Sequence, residues 1–269
     1  MNSPEEIKLV VKNKYSEIAK SARTTGCCGT SASGGCAPDK NDYTVFEEDY
    51  TKLNGYVADA DLGLGCGLPT EFAGIKKGDT VVDLGSGAGN DVFIARAIVG
   101  AEGKVTGIDM TEAMIEKANF NNKKLGYNNV EFKLGDIENM PLVNDYADVV
   151  VSNCVLNLVP DKRKAFSEIY RVLKPGAHFC VSDIVIKGEM SEELKKSAEM
   201  YAGCVSGALQ QTEYLKIIDD AGFKNVEIKK TKNNELPDEL LSNYLSGKGL
   251  REFKENFRGI FSITLVGYK

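Results

Sequence analysis

What the chain lacks narrows its character first. No apolar run approaches the roughly 18 residues of a membrane-spanning helix, so no membrane association is expected. Positive charge is not in excess: 33 Lys and Arg stand against 39 Asp and Glu, a formal net charge of −6. Nucleic acids and anionic membranes want a basic face, and both are set aside as partners. The opening stretch, MNSPEEIKLVVKNKYSEIAK, has charges and a helical period but neither the apolar core nor the cleavage site of a secretory signal. A cytoplasmic protein is expected. There is a single histidine, His178, inside a strand-like run where packing is its expected role.

What is present has the balance of a soluble globular protein. The chain has 269 residues, 42% apolar and 27% charged, enough for one large α/β domain or a domain with a smaller appendage. Seven cysteines are many for a cytosolic chain, and the number is odd. Without an export signal a structural disulfide framework is not expected. Metal, metalloid or redox chemistry is the better reading, against the plainer alternative of small core residues.

Residues 5–22 have the period of an amphipathic helix, with Ile7, Val10, Val11, Tyr15 and Ile18 near one stripe, expected to pack onto the main domain. Residues 23–42, RTTGCCGTSASGGCAPDKND, lack any period and hold Cys27, Cys28 and Cys36. A loop is expected there, with thiol capture and plain solvation as equal alternatives. From residue 81, strands at 81–84, 104–109, 130–134, 147–152 and 178–186 alternate with helices at 89–99, 111–125 and 161–173. Such alternation builds an α/β fold, a Rossmann-like, doubly wound and mostly parallel sheet. Thr111 and Pro160-Asp161 mark helix starts, and Lys174-Pro175-Gly176 is expected to end the helix before it.

Past residue 188 the pattern changes to a small α+β extension. Helices are expected near 191–205 and 211–221, and strands at 225–231 and 260–268 read as an antiparallel pair on the sheet edge. The organisation expected is therefore 1–74 for the N-terminal helix and cysteine-bearing loops, 75–187 for the main domain, and 188–269 for a region capping the substrate.

The stretch that organises the rest is VVDLGSGAGN at 81–90. A buried strand passes through Asp83 into a turn with Gly85, Ser86, Gly87 and Gly89, and a helix follows. In an open α/β sheet a ligand meets backbone N–H groups at such a turn. A dinucleotide fingerprint would put its third glycine at position 90, but Asn90 stands there and the spacing is G-x-G-x-G. We read the loop as one that holds S-adenosylmethionine (SAM). Asp109 ends the second strand, placed to accept from ribose hydroxyls, with helix capping as its plainer alternative. Met110 would lie on the adenine, and Asp136 and Ile137 would flank its amino edge. Three acids at the carboxyl ends of successive strands mark the ligand edge of the sheet.

Taken in order, VVDLGSGAGN, GIDMTEAM, GDIENMPL, ADVVVSNCVLNLVPDK and RVLKPGAHFCVSD resemble the class I SAM-dependent methyltransferases over roughly 75–190. That resemblance implies a SAM-dependent enzyme in which Asn153 and the residues after it face the reactive methyl. Here Asn153 is followed by Cys154, with no evident general base. An acceptor atom that already carries a lone pair and no proton needs positioning rather than deprotonation. Cys66 in LGLGCGLP and Cys204 in YAGCVSGAL can approach the same place, and three soft thiolates suit a small thiophilic ion or metalloid.

Those segments, with SNCVLNLVPDK and the N-terminal cysteine loop, resemble the arsenite SAM methyltransferase family over nearly the whole chain. The resemblance implies arsenic(III) bound by Cys154 and Cys204, with Cys66 as third ligand or as resolving thiol. It implies a further redox-active N-terminal cysteine, for which Cys27, Cys28 and Cys36 are equal candidates, a disulfide formed in the cycle, and a thioredoxin- or glutathione-type thiol reductant. A monomer is expected. Cys180 has no counterpart role and is assigned to the core. The competing readings are a methyltransferase of small organic molecules and a thiol-based metalloid-binding or redox-sensing protein.

Overall fold

The computed structural model describes residues 3–21, 48–188, 207–234 and 257–269, with four further positions between 241 and 251. The loop expected at 23–42 and the helix expected at 191–205, and with them Cys27, Cys28, Cys36 and Cys204, lie outside the described residues. The elements run α1 (Pro4–Ser21), α2 (Pro69–Phe72), β1 (Thr80–Leu84), α3 (Asn90–Val99), β2 (Lys104–Asp109), α4 (Glu112–Leu125) and β3 (Val130–Leu134). They continue with β4 (Ala147–Asn153), a short 3-10 turn at Leu156–Leu158, α5 (Lys162–Val172), β5 (Leu173–Gly188), α6 (Gln211–Asp220), β6 (Lys224–Asn234) and β7 (Phe257–Tyr268).

One seven-stranded sheet has the order β3-β2-β1-β4-β5-β7-β6. The first five strands are parallel, and β7 runs antiparallel to both β5 and β6. This is the Rossmann-like α/β architecture. The tail strands pair as an antiparallel extension of the sheet edge, and the strand made last lies inside that edge.

Strand alternation sorts the valines onto two faces. Val82 and Val150 pack with Phe166 and Ile169 of α5 and with Tyr214, Ile217 and Ile218 of α6. Val81, Val149 and Val151 pack with Val92, Phe93 and Val99 of α3. Near-continuous apolar strands are what a sheet covered on both sides requires. Between β1 and β4 the strand order reverses, and the carboxyl ends of these neighbours open a crevice.

Two local features differ from the expectation. Strand β5 starts at Leu173, directly after α5, instead of at 178. It absorbs Lys174-Pro175-Gly176 as an irregularity: Ala147 pairs with Leu173, but Val149 pairs with His178. Proline lacks a ladder donor and Gly176 has φ +77°, so these residues leave the ladder without ending the strand. At α4, Thr111 is the N-cap residue but its side chain makes no capping bond. Its N–H donates instead to Asp109 Oδ1 at 2.8 Å. Asp161 caps α5 as expected, accepting from the Lys164 N–H at 3.0 Å. No helix among the described residues is long and apolar enough to cross a membrane.

Candidate active site

The crevice at the reversal holds a cavity whose floor is the turn after β1. Gly85 has φ +65°, and a Cβ there would stand 2.4 Å from Val155 Cγ2, so only glycine lets the turn lie this close to the segment after β4. Gly87 has φ +51° with no atom within 4 Å of where its Cβ would be, leaving room for a ligand against the backbone. Gly85, Ser86, Gly87 and Asn90 line the cavity. Gly89 is not among the lining residues: it is the N-cap of α3, with φ +101°, and packs against Phe93 and Phe132.

Acids supply the polarity. Asp83, Asp91 and Asp109 all line the cavity and are 2%, 7% and 9% exposed. Burial pushes the Asp83 carboxyl well above its usual range, and the nearby Asp91 and Asp109 push it further. Burial also raises Asp91 to about 6, against the opposing hydrogen bonds from Asn153 and Tyr50. Asp109 is raised by burial as well, although it accepts from the Gly87 N–H at 3.0 Å and from Thr111. Three close carboxylates in a low-dielectric pocket favour a cationic occupant.

At the far wall Asp136 accepts from Lys8 Nζ at 2.6 Å and from the Glu138 N–H at 2.9 Å. Lys8 also reaches Glu138 at 2.5 Å, and with Val11 and Tyr15 it brings α1 over the cavity. Met110, Asp136 and Ile137 line this side. The pocket leaves polar atoms unsatisfied: Ser86 Oγ, Asn90 Oδ1 and Asp91 Oδ1 are buried without a hydrogen-bond partner. Together with the open face of Gly87 and the acidic lining, they fit SAM, which carries a sulfonium, an ammonium and several hydrogen-bonding groups.

Two cysteines are tied to the carboxyl end of β4, Cys154 by sequence and Cys66 through its backbone. Cys154 lines the cavity, 6% exposed, with φ +58°. A non-glycine residue in that region costs on the order of 1–3 kcal/mol. The Cys154 N–H donates to Ser182 O at 2.8 Å, which helps to hold it. Cys66 is 1% exposed and does not line the cavity, but its N–H donates at 3.1 Å to Asn153 Oδ1, the side chain adjacent to Cys154. Burial raises the Tyr214 phenol well above its usual value. Asp183 raises it further.

The backbones of two of the three expected arsenic ligands are thus anchored near the end of β4, and Cys204 lies outside the described residues. Cys66, Cys154 and Cys180 are not in disulfides, so the expected disulfide is not found among the described residues. No group of three metal-ligating side chains forms among those residues either. Cys180 faces the core, donates to Pro69 O at 3.2 Å, and is pushed up to about 12 by burial, a thiol held protonated. His178 bonds Ala73 O at 2.5 Å and packs on the Tyr268 ring, away from the cavity lining.

Sequence reasoning missed Lys8, Tyr50, Asp61, Asp91 and Thr111, all of which line the cavity. For Asp91 a signal existed, an acid one position after Asn90 in the first turn of α3. For Lys8 and Tyr50 none did, since only the folded chain brings them to the pocket.

Fold and cavity together define a class I SAM-dependent methyltransferase. A family model described as a methyltransferase domain matches residues 75–222, more than half of the chain. An arsenite methyltransferase of Halobacterium salinarum is 41% identical over 233 residues, covering 84% of this chain and 59% of the relative. The arsenite methyltransferase of Rattus norvegicus is 34% identical, covering 81% of this chain and 59% of its own length. Among solved structures, an arsenic(III) SAM methyltransferase from Chlamydomonas reinhardtii superposes with a TM-score of 0.65 at 33% identity, covering 76% of this chain and 67% of that one. Within its class the chain belongs to the arsenite methyltransferase family. It spans little more than half the length of the curated relatives it matches.

Proposed function

We propose that the chain methylates trivalent arsenic, arsenite and methylated arsenite alike, while cysteine thiolates hold the metalloid, and that it serves arsenic detoxification. The observation that carries this reading is the junction at Asn153. There a cavity suited to a cation meets the backbones of two cysteines, in a chain of the arsenite methyltransferase family.

Gly85, Ser86, Gly87, Asn90 and Asp83 would cradle SAM from below, Asp109 would accept from its ribose, and Met110, Asp136 and Ile137 would surround the adenine. When bound, SAM supplies an electrophilic methyl on sulfur, for which the arsenic lone pair is the nucleophile. Cys154 and Cys204 form the proposed ligand pair, with Cys66 as third thiol. These residues orient the lone pair, and no base is required, because no proton leaves arsenic. Thiols that then reduce arsenic(V) to arsenic(III) would close a disulfide, and a cellular thiol system would reopen it.

The test is a reaction of purified protein with SAM, arsenite and excess thiol, with arsenic species separated and detected by mass. Methylated arsenicals should form, and Cys154→Ser should abolish them while SAM still binds. Asp109→Ala should weaken SAM and leave arsenite binding measured without cofactor unchanged. Absence of methylated product from the wild-type protein with SAM bound would defeat the assignment and favour an organic acceptor.

A further inference from the structure

One buried cluster belongs neither to the thiols nor to the cofactor cavity alone, but spans both. Asn153 Oδ1 accepts from the Cys66 N–H, while its Nδ2 faces Gly67 O at 2.9 Å, Asp91 Oδ2 at 3.1 Å and the Tyr50 hydroxyl oxygen. The Tyr50 hydroxyl faces the same Gly67 O at 2.9 Å and the same Asp91 Oδ2 at 3.1 Å. Two amide protons and one phenolic proton therefore serve three acceptors: a carbonyl, a carboxylate and the phenol oxygen. The set is strongest while Asp91 is ionised, because a carboxylate oxygen accepts hydrogen bonds more strongly than an oxygen of the neutral acid.

The loop that carries Cys66 is pressed onto this cluster. A Cβ at Gly65 would stand 2.8 Å from Asn153 Nδ2 and 3.0 Å from the Tyr50 hydroxyl, and one at Gly67 would stand 2.5 Å from Ser182 Cβ. Ser182 also accepts the Cys154 N–H. The end of β4 and Ser182 inside β5 thus set the backbones of both cysteines. Asp91 is at the same time one of the residues lining the cofactor cavity, so its carboxyl joins the cluster to that site.

We propose that Tyr50, Asp91 and Asn153 are positioning residues that clamp the Cys66 loop to the end of β4, and that the ammonium group of bound SAM completes the clamp at Asp91. Cofactor and arsenite then tighten one another's binding. This rests on the arsenite reading above, and adds to it three residues and a coupling that the ligand set alone does not require. With a cation beside it, Asp91 stays an acceptor for Asn153 and Tyr50, and the loop is held. Without one, the buried carboxyl takes up a proton more readily, becomes a weaker acceptor for Asn153 and Tyr50, and holds the loop less tightly. Linkage makes the effect reciprocal.

The experiment titrates arsenite into the full chain by equilibrium dialysis, with and without saturating S-adenosylhomocysteine, which keeps the ammonium group but has no methyl to transfer. The wild-type protein should bind arsenite on the order of fivefold or more tightly with S-adenosylhomocysteine present. S-Adenosylhomocysteine should gain the same factor from arsenite. Tyr50→Phe, which removes one proton from the cluster and keeps the ring, should bring that factor toward one. Asp91→Asn is the second variant, and should do the same if Tyr50→Phe fails to fold. A wild-type factor of one in a protein that makes methylated arsenicals would overturn the clamp and leave the function standing, as would an undiminished factor in either folded variant. No arsenite binding and no product, with S-adenosylhomocysteine still bound, would remove the function and the clamp with it.

Discussion

At the scale of the residue, buried carboxylates dominate the chemistry of this chain. Asp91 sits near 6 without ligand because burial disfavours its charge. A cation binds the ionised form, so SAM affinity should weaken as pH falls through 6, by up to about tenfold per unit. Calorimetry in buffers of differing ionisation enthalpy should then register proton release on binding near pH 6. A pH-independent affinity between 5 and 7.5 would mean that the cation lies elsewhere. Asp183 is a separate case. It is fully buried, accepts from the Ile184 N–H at 2.9 Å and from Tyr214 at 3.1 Å, and burial raises it to about 7. The folded state holds its proton more tightly than the unfolded state does. The stabilisation is therefore complete below about 4 and is lost as pH rises through about 7, at about 1.4 kcal/mol per unit between those limits. Urea unfolding of Asp183→Asn at pH 5 and pH 7 should show that part of the slope removed.

At the scale of the element, the turn between β1 and α3 is held in place by its neighbour on β4. Gly85→Ala would meet Val155 Cγ2 and force a side chain into φ +65°, a conformation that costs about 1–2 kcal/mol. SAM affinity should fall at least tenfold. Adding Val155→Ala should recover only part of it, since the clash is relieved and the backbone cost is not; full recovery in a binding titration would show sterics alone at work. The strands, helices and glycine turn were legible in the sequence because a parallel sheet covered on both faces writes each element as a local apolar run with its own punctuation. So were the acids at strand ends, because their spacing to the glycines is fixed along the chain. Lys8 and Tyr50 were not legible, since α1 and the segment around residue 50 reach the cavity only by tertiary packing. The start of β5 was misread for a different reason. Lys174-Pro175-Gly176 does stand just past the helix, which ends at Val172, but the strand already begins at Leu173 and these residues bulge from a ladder that resumes at His178.

At the scale of the whole molecule, β7 is the strand on which the C-terminal part of the sheet depends: among the described residues it is the only strand hydrogen-bonded to β6 and one of two hydrogen-bonded to β5. Deleting residues 257–269 should leave a chain without a cooperative thermal transition, rather than a trimmed enzyme with a lower melting temperature; a sharp melt from that truncated protein would contradict this. The placement of β7 also bears on how the chain is made. Strand β5 is complete at Gly188 and its partner ends at Tyr268, so the ribosome must add 80 more residues before that edge is covered. At bacterial-to-eukaryotic synthesis speeds this leaves the edge open for roughly 4–16 s. For that interval the nascent protein presents an apolar strand edge to every neighbouring chain. Its yield in a cell should accordingly depend on chaperone capacity during translation more than on the stability of the finished fold.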